Sequence, residues 1–80
     1  MSNLERYNQI FRETFDVENT ELEGLAYQNT SLWDSVGHMN LVAAVEETFD
    51  IMMDTDDIID FSSYKKGVEI LKKNYNVQFQ

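Results

Sequence analysis

The chain contains no cysteine, which removes a disulfide framework, a thiolate nucleophile and any cysteine-held metal. The fold must stand on its core alone, and any thiol chemistry has to be imported. Basic residues are nearly as scarce. Arg6 and Arg12 lie near one end, Lys65, Lys66, Lys72 and Lys73 near the other, and the span from Glu13 to Tyr64 holds thirteen acids and no Lys or Arg. At a net charge of −9, the surface would repel nucleic acid and anionic membranes, both of which require basic contacts. A basic protein partner is the complementary expectation. No segment approaches the roughly 20 apolar residues of a membrane span, and the first residues, MSNLERYNQI, hold no apolar signal core. A cytoplasmic protein without membrane insertion is expected.

Eighty residues imply a single domain, 1–80, with no room for a substrate domain beside a catalytic one. The hydrophobic fraction is 42%, with five Phe, four Tyr and one Trp, enough for a packed globule. Helical periodicity is clear and strand alternation nearly absent, so the expected class is all-α. Leu4, Tyr7, Phe11 and Phe15 recur at spacings of three and four, and Ser2 with Glu5 matches a capping box, predicting a helix over residues 3 to 15. Residues 16–34, DVENTELEGLAYQNTSLWD, lose the pattern and read as a long ordered loop pinned by Leu22, Leu25, Leu32 and Trp33. The pattern returns from Ser35 to Asp50, TDDIID reads as a short helix, and Tyr64, Val68, Leu71 and Tyr75 form a last stripe. Gly67 weakens that last helix slightly. The tail NVQFQ is expected to fray or to pack as an extended end, and the chain to be a monomer.

Stepping 100° per residue along Ser35 to Asp50 separates two faces. Leu41, Val42, Val45 and Phe49 fall together, with His38 at the start of the same stripe, and should enter the core. Val36, Met39, Asn40, Ala43, Glu46, Glu47 and Asp50 fall on the other side as an apolar ridge bordered by acids. Such a ridge marks a partner surface or packs under the long loop or the short helix. The acidic run continues to Asp60, but it is not a calcium loop: an EF-hand starting at Asp54 needs Gly at 59 and Glu at 65, where the chain has Ile59 and Lys65.

The seam between loop and helix, LWDSVGHMN at residues 32–40, carries the candidate chemistry. Either Asp34 or Ser35 could cap a free amide of the first turn. Ser35 could also carry a phosphodiester, since first-turn amides and the helix dipole favour negative charge there, with small Gly37 leaving room for an arm to pass. A serine hydrolase is rejected. A nucleophile elbow needs glycine two residues before the serine, where Trp33 stands, and the one histidine, His38, would have to reach back along its own helix.

The run DSVGHMNLVAAVEETFDI followed by TDDIIDFSS resembles the acyl carrier protein family, whose hallmark is Asp-Ser-Leu at a helix start, then an apolar stripe, a Glu-Glu pair, Phe and an acidic-Ile segment. The likeness covers nearly the whole chain. It implies a four-helix bundle with a long first loop and a short third helix. It further implies that Ser35 takes 4′-phosphopantetheine from coenzyme A through a magnesium-dependent phosphopantetheinyl transferase that contacts Asp34. The chain would then carry an acyl group as a thioester between enzymes and catalyse nothing itself. By the same likeness Val36, Met39, Glu46 and Glu47 match positions that meet basic grooves on partner enzymes, and Leu41, Val45 and Phe49 match a stripe that can line an acyl pocket. Val36 replaces the usual Leu, Trp33 stands where a smaller apolar residue is common, and Gly37, His38 and Asn40 replace more typical polar or acidic residues. These departures favour a specialised carrier over the main fatty-acid one. The alternative is an unmodified acidic helical module that binds basic partners through the same face.

Overall fold

The structure, a computed structural model, describes residues 2–79. It is all-α, with the helices expected from the periodicity and one addition inside the loop. Helix α1 (Asn3–Phe15) begins where the Ser2 hydroxyl oxygen accepts the Glu5 amide at 3.1 Å and ends at Asp16, whose φ of 54° lies in the left-handed region. A short 3-10 helix, Asn19–Gly24, follows. Helix α2 (Ser35–Phe49) stops at Asp50, again left-handed with φ 55°. Helices α3 (Thr55–Asp60) and α4 (Tyr64–Asn74) complete the set, and the Ser63 hydroxyl caps α4 by accepting the Lys66 amide at 3.0 Å.

The core is aromatic at its centre. Tyr7, Phe11 and Phe15 of α1 meet Trp33 from the loop, Phe61 from the α3–α4 connection, Leu41, Val42 and Val45 of α2, and Leu71 of α4. Trp33 stacks on Phe15 with ring centroids 4.9 Å apart and meets Phe11 edge-on at 5.6 Å. Aromatic pairs in such geometries contribute about 0.5–1.5 kcal/mol beyond the area they bury. Two expected core members lie elsewhere. Leu4 is 40% exposed, while Ile10 of the same helix is buried; Leu32 is 48% exposed, while its neighbour Trp33 turns inward. In α4 the buried stripe is Tyr64, Gly67, Ile70 and Leu71, with Val68 and Tyr75 half-buried.

Gly67 has a packing reason. A Cβ there would overlap the Phe61 ring and the Tyr7 hydroxyl, so the missing side chain brings α4 onto α1. The tail packs rather than frays: Val77 is buried, and Phe79 is half-buried against Tyr7 and Phe49. Gln80 of that tail lies outside the described residues.

The long loop is ordered by backbone pairing as well as by apolar anchors. The Tyr27 amide donates to the Ser62 carbonyl at 2.8 Å, and the Tyr64 amide donates to the Leu25 carbonyl at 3.0 Å, making one isolated antiparallel bridge between Ala26 and Ser63. These bonds set Tyr27 beside the start of α2. Among the described residues no helix is long and apolar enough to cross a membrane.

Candidate functional site

Which residue caps α2 is settled by geometry. Asp34 is extended, with φ −105° and ψ −164°, and its Oδ1 accepts the Gly37 amide at 2.9 Å, while its carbonyl accepts the His38 amide at 2.8 Å. Ser35 is therefore the first helical residue, and its side chain is exposed rather than spent on the cap. The Ser35 Oγ lies 3.3 Å from the Tyr27 hydroxyl, a contact in which either atom can donate. The first-turn amides of a helix this long attract anions, so a phosphodiester on Ser35 would sit where the backbone favours its charge.

Gly37 does a different job from the one its size suggested. It is buried, and a Cβ there would collide with the Leu32 carbonyl and press on the Phe15 ring. The space is filled by the loop's own backbone, not left for a passing arm. That close approach turns Trp33 into the core and Asp34 onto its cap.

His38 links three elements. The Trp33 indole N–H donates to His38 Nδ1 at 3.0 Å, so the ring proton sits on Nε2, which donates to the Ile58 carbonyl at 2.7 Å. The two ring planes lie 16° apart, and the Tyr27 ring meets the imidazole edge-on at 5.6 Å. A histidine holding both nitrogens in this way joins the loop, α2 and α3 and has no free nitrogen to act as a general base.

An apolar hollow of about 400 Å³ opens between α2 and α3 directly beside Ser35. Tyr27, Ser35, His38, Met39, Ile58 and Ile59 line it, together with Phe61 and Ser62. The residues assigned to a pocket from the sequence lie elsewhere. Leu41 and Val45 are sealed in the core, and Phe49 is half-buried against Phe79 at the far end of α2. Tyr27, Ile58, Ile59 and Phe61 were not singled out from the sequence. The Ile pair inside the acidic TDDIID helix was a visible signal, whereas Tyr27 lies in an aperiodic loop and reaches the site only through tertiary pairing.

The outward ridge is where its 100° spacing put it. Val36 is 70% exposed and Met39 56% exposed, and Asn40, Ala43 and Glu47 are exposed as well. Ile59 of α3, 70% exposed, shares the lining of the hollow with Met39, and Asp54, Asp56 and Asp60 of the same segment are exposed. Glu46 differs from its neighbour. It is half-buried, and its carboxylate accepts the Met53 amide at 2.9 Å, tying the α2–α3 connection to α2. The chain matches no protein-family model and no curated protein at a significant level.

Proposed function

We propose that this chain is an acyl carrier protein, a four-helix bundle with a long first loop and a short third helix, whose Ser35 accepts 4′-phosphopantetheine. The observation that carries the reading is the division of labour at the helix start. Asp34 holds the cap, so the exposed Ser35 hydroxyl is not needed for it, and an apolar hollow opens alongside. A phosphodiester fits these surroundings, since the first-turn amides and dipole of α2 favour an anion at that position.

In the attachment step the Ser35 Oγ forms a bond to the phosphorus of coenzyme A that bears the pantetheine. The pyrophosphate bond breaks, adenosine 3′,5′-bisphosphate leaves, and the transferase takes the serine proton. Once bound, the group supplies the thiol that a cysteine-free chain lacks and holds an acyl group as a thioester. The chain's own part is positional. Asp34 fixes the backbone of the first turn, the Tyr27 hydroxyl lies beside the modified oxygen, and the ridge of Val36, Met39, Asn40, Ala43 and Glu47 presents apolar contacts beside negative charge to basic partner enzymes. The departures at Trp33, Val36, Gly37 and His38 suit a specialised acyl-transfer pathway.

Incubation with coenzyme A, magnesium and a broad-specificity phosphopantetheinyl transferase should add the mass of one phosphopantetheine to the parent and nothing to Ser35→Ala. If the parent stays unmodified while folded, the acidic binding module becomes the better account. Its signature would be binding to a basic partner that Ser35→Ala leaves intact and Glu47→Lys weakens.

A further inference from the structure

His38 lines the hollow beside Ser35 and is hydrogen-bonded to Trp33, which does not line it. Trp33 is fully buried, stacked on Phe15 on one side and hydrogen-bonded through its indole N–H to His38 on the other. His38 in turn donates to the Ile58 carbonyl, and Phe61, also fully buried, meets the imidazole edge-on at 6.3 Å. A chain pushing inward from the hollow would have to separate these groups. Doing so would leave the buried Trp33 indole N–H and the Ile58 carbonyl without their partners, which disfavours entry.

We infer that the Trp33–His38–Ile58 link closes the core to the carried group, so that the hollow accepts a compact, short-chain acyl group and leaves a long fatty chain outside. This rests on the carrier reading and names its substrate class. The hollow, about 400 Å³ and open to solvent, does not by its volume limit chain length; the limit comes from the hydrogen-bonded His38 on its lining. Met39 of α2 and Ile58 and Ile59 of α3 supply apolar lining beside the His38 ring, and the Tyr27 and Ser35 hydroxyls, 3.3 Å apart, border the same hollow. Leu41 and Val45 are fully buried and do not line the hollow. Trp33 and His38 are thus specificity-determining residues that act by exclusion.

The test loads the protein with acetyl-, butyryl-, octanoyl- and dodecanoyl-phosphopantetheine from the corresponding coenzyme A thioesters. The thermal midpoint is then compared with that of the unacylated arm, and the NMR signals of the Trp33 indole N–H and the Leu41 and Val45 methyls are followed. The midpoint should rise from acetyl to butyryl and stay level beyond, with the three core signals unmoved. In Trp33→Leu/His38→Leu, if folded, the midpoint should go on rising with chain length. A parent midpoint that climbs through dodecanoyl while the core signals shift overturns the inference. So does a midpoint indifferent to every acyl group, because the hollow would then hold nothing.

Failure to load speaks against the carrier reading instead. In that case Ser35→Cys, which places a single thiol in a cysteine-free chain, is alkylated with N-butyl or N-dodecyl iodoacetamide, the thiolate sulfur displacing iodide. A midpoint raised by the butyl label and no higher with dodecyl supports the inference. One that is higher with dodecyl, or unmoved by either label, contradicts it.

Discussion

Asp34 and Ser35 are neighbours whose substitution should give opposite phenotypes. Replacing Asp34 with Ala removes the acceptor of the Gly37 amide and should lower stability by about 1 kcal/mol, the usual value of an N-cap. Ser35→Ala removes an exposed hydroxyl and should change stability by less than about 0.5 kcal/mol while abolishing loading. Urea midpoints of the two variants check the contrast, and equal losses would mean that Ser35 shares the cap. At Gly37 the obstacle is the Leu32 backbone, which cannot rotate away. Gly37→Ala should therefore cost roughly 3 kcal/mol, the upper end of overpacking, and a urea midpoint near that of the parent would show that the loop yields easily. The Asp-Ser pair was legible in the sequence because helix starts have a chemical signature. The role of Gly37 was not, since glycine's small size says that space is needed but not which atom fills it.

Elements were legible in proportion to their periodicity. Helices α1, α2 and α4 carry apolar stripes, and their observed spans agree with those stripes. The 3-10 helix at Asn19–Gly24 has no such pattern, and its backbone is set by contacts made elsewhere. Helix α3 buries none of its own residues completely. It is held by side-chain ties: His38 to the Ile58 carbonyl, and Asn74 and the Tyr75 hydroxyl to the two Asp57 oxygens at 2.9 and 2.7 Å. Tyr75 also accepts the Asp54 amide at 2.8 Å. Tyr75→Phe should therefore speed hydrogen exchange in residues 55–60 while leaving α1 protected; unchanged exchange in α3 would assign its stability to the His38 and Asn74 ties. The end of α2 offers a gain rather than a loss. Asp50 occupies a left-handed conformation and places a negative charge at a helix C-terminus. Asp50→Gly should raise stability by about 1 kcal/mol in urea unfolding. On the exposed ridge of α2 proposed to meet partners, Glu47→Lys is the clean charge reversal. Glu46→Lys would also strip the Met53 amide of its acceptor, mixing a binding effect with a folding one.

At the scale of the molecule, charge and aromatic burial set the response to solvent. Among the described residues the ion pairs reduce to one, Lys66–Glu69 at 4.0 Å on the surface, so most of the fifteen acids repel one another without compensation. Screening should raise the thermal midpoint from low to moderate sodium chloride; a midpoint that falls steadily would contradict this. Alkali should act in the opposite direction. Burial, with Tyr64 nearby, pushes the Tyr7 phenol well above its ordinary value, and burial leads the upward shifts of Tyr64 and Tyr75 as well. A raised phenol pKa means that the folded state holds its proton more tightly than the unfolded chain does. That stability is complete below about pH 10 and is lost as pH rises beyond it. Circular dichroism and tyrosinate absorbance followed together should change in one step for the two buried phenols, Tyr7 and Tyr64.

The central claim is that Ser35 is an attachment point, and the most direct measurement is fragment-ion mapping of the protein after incubation with coenzyme A, magnesium and the transferase. Phosphopantetheine should be found on Ser35 and on none of Ser2, Ser31, Ser62 or Ser63. Modification at another serine, or none at all in a protein shown to be folded, would contradict the account.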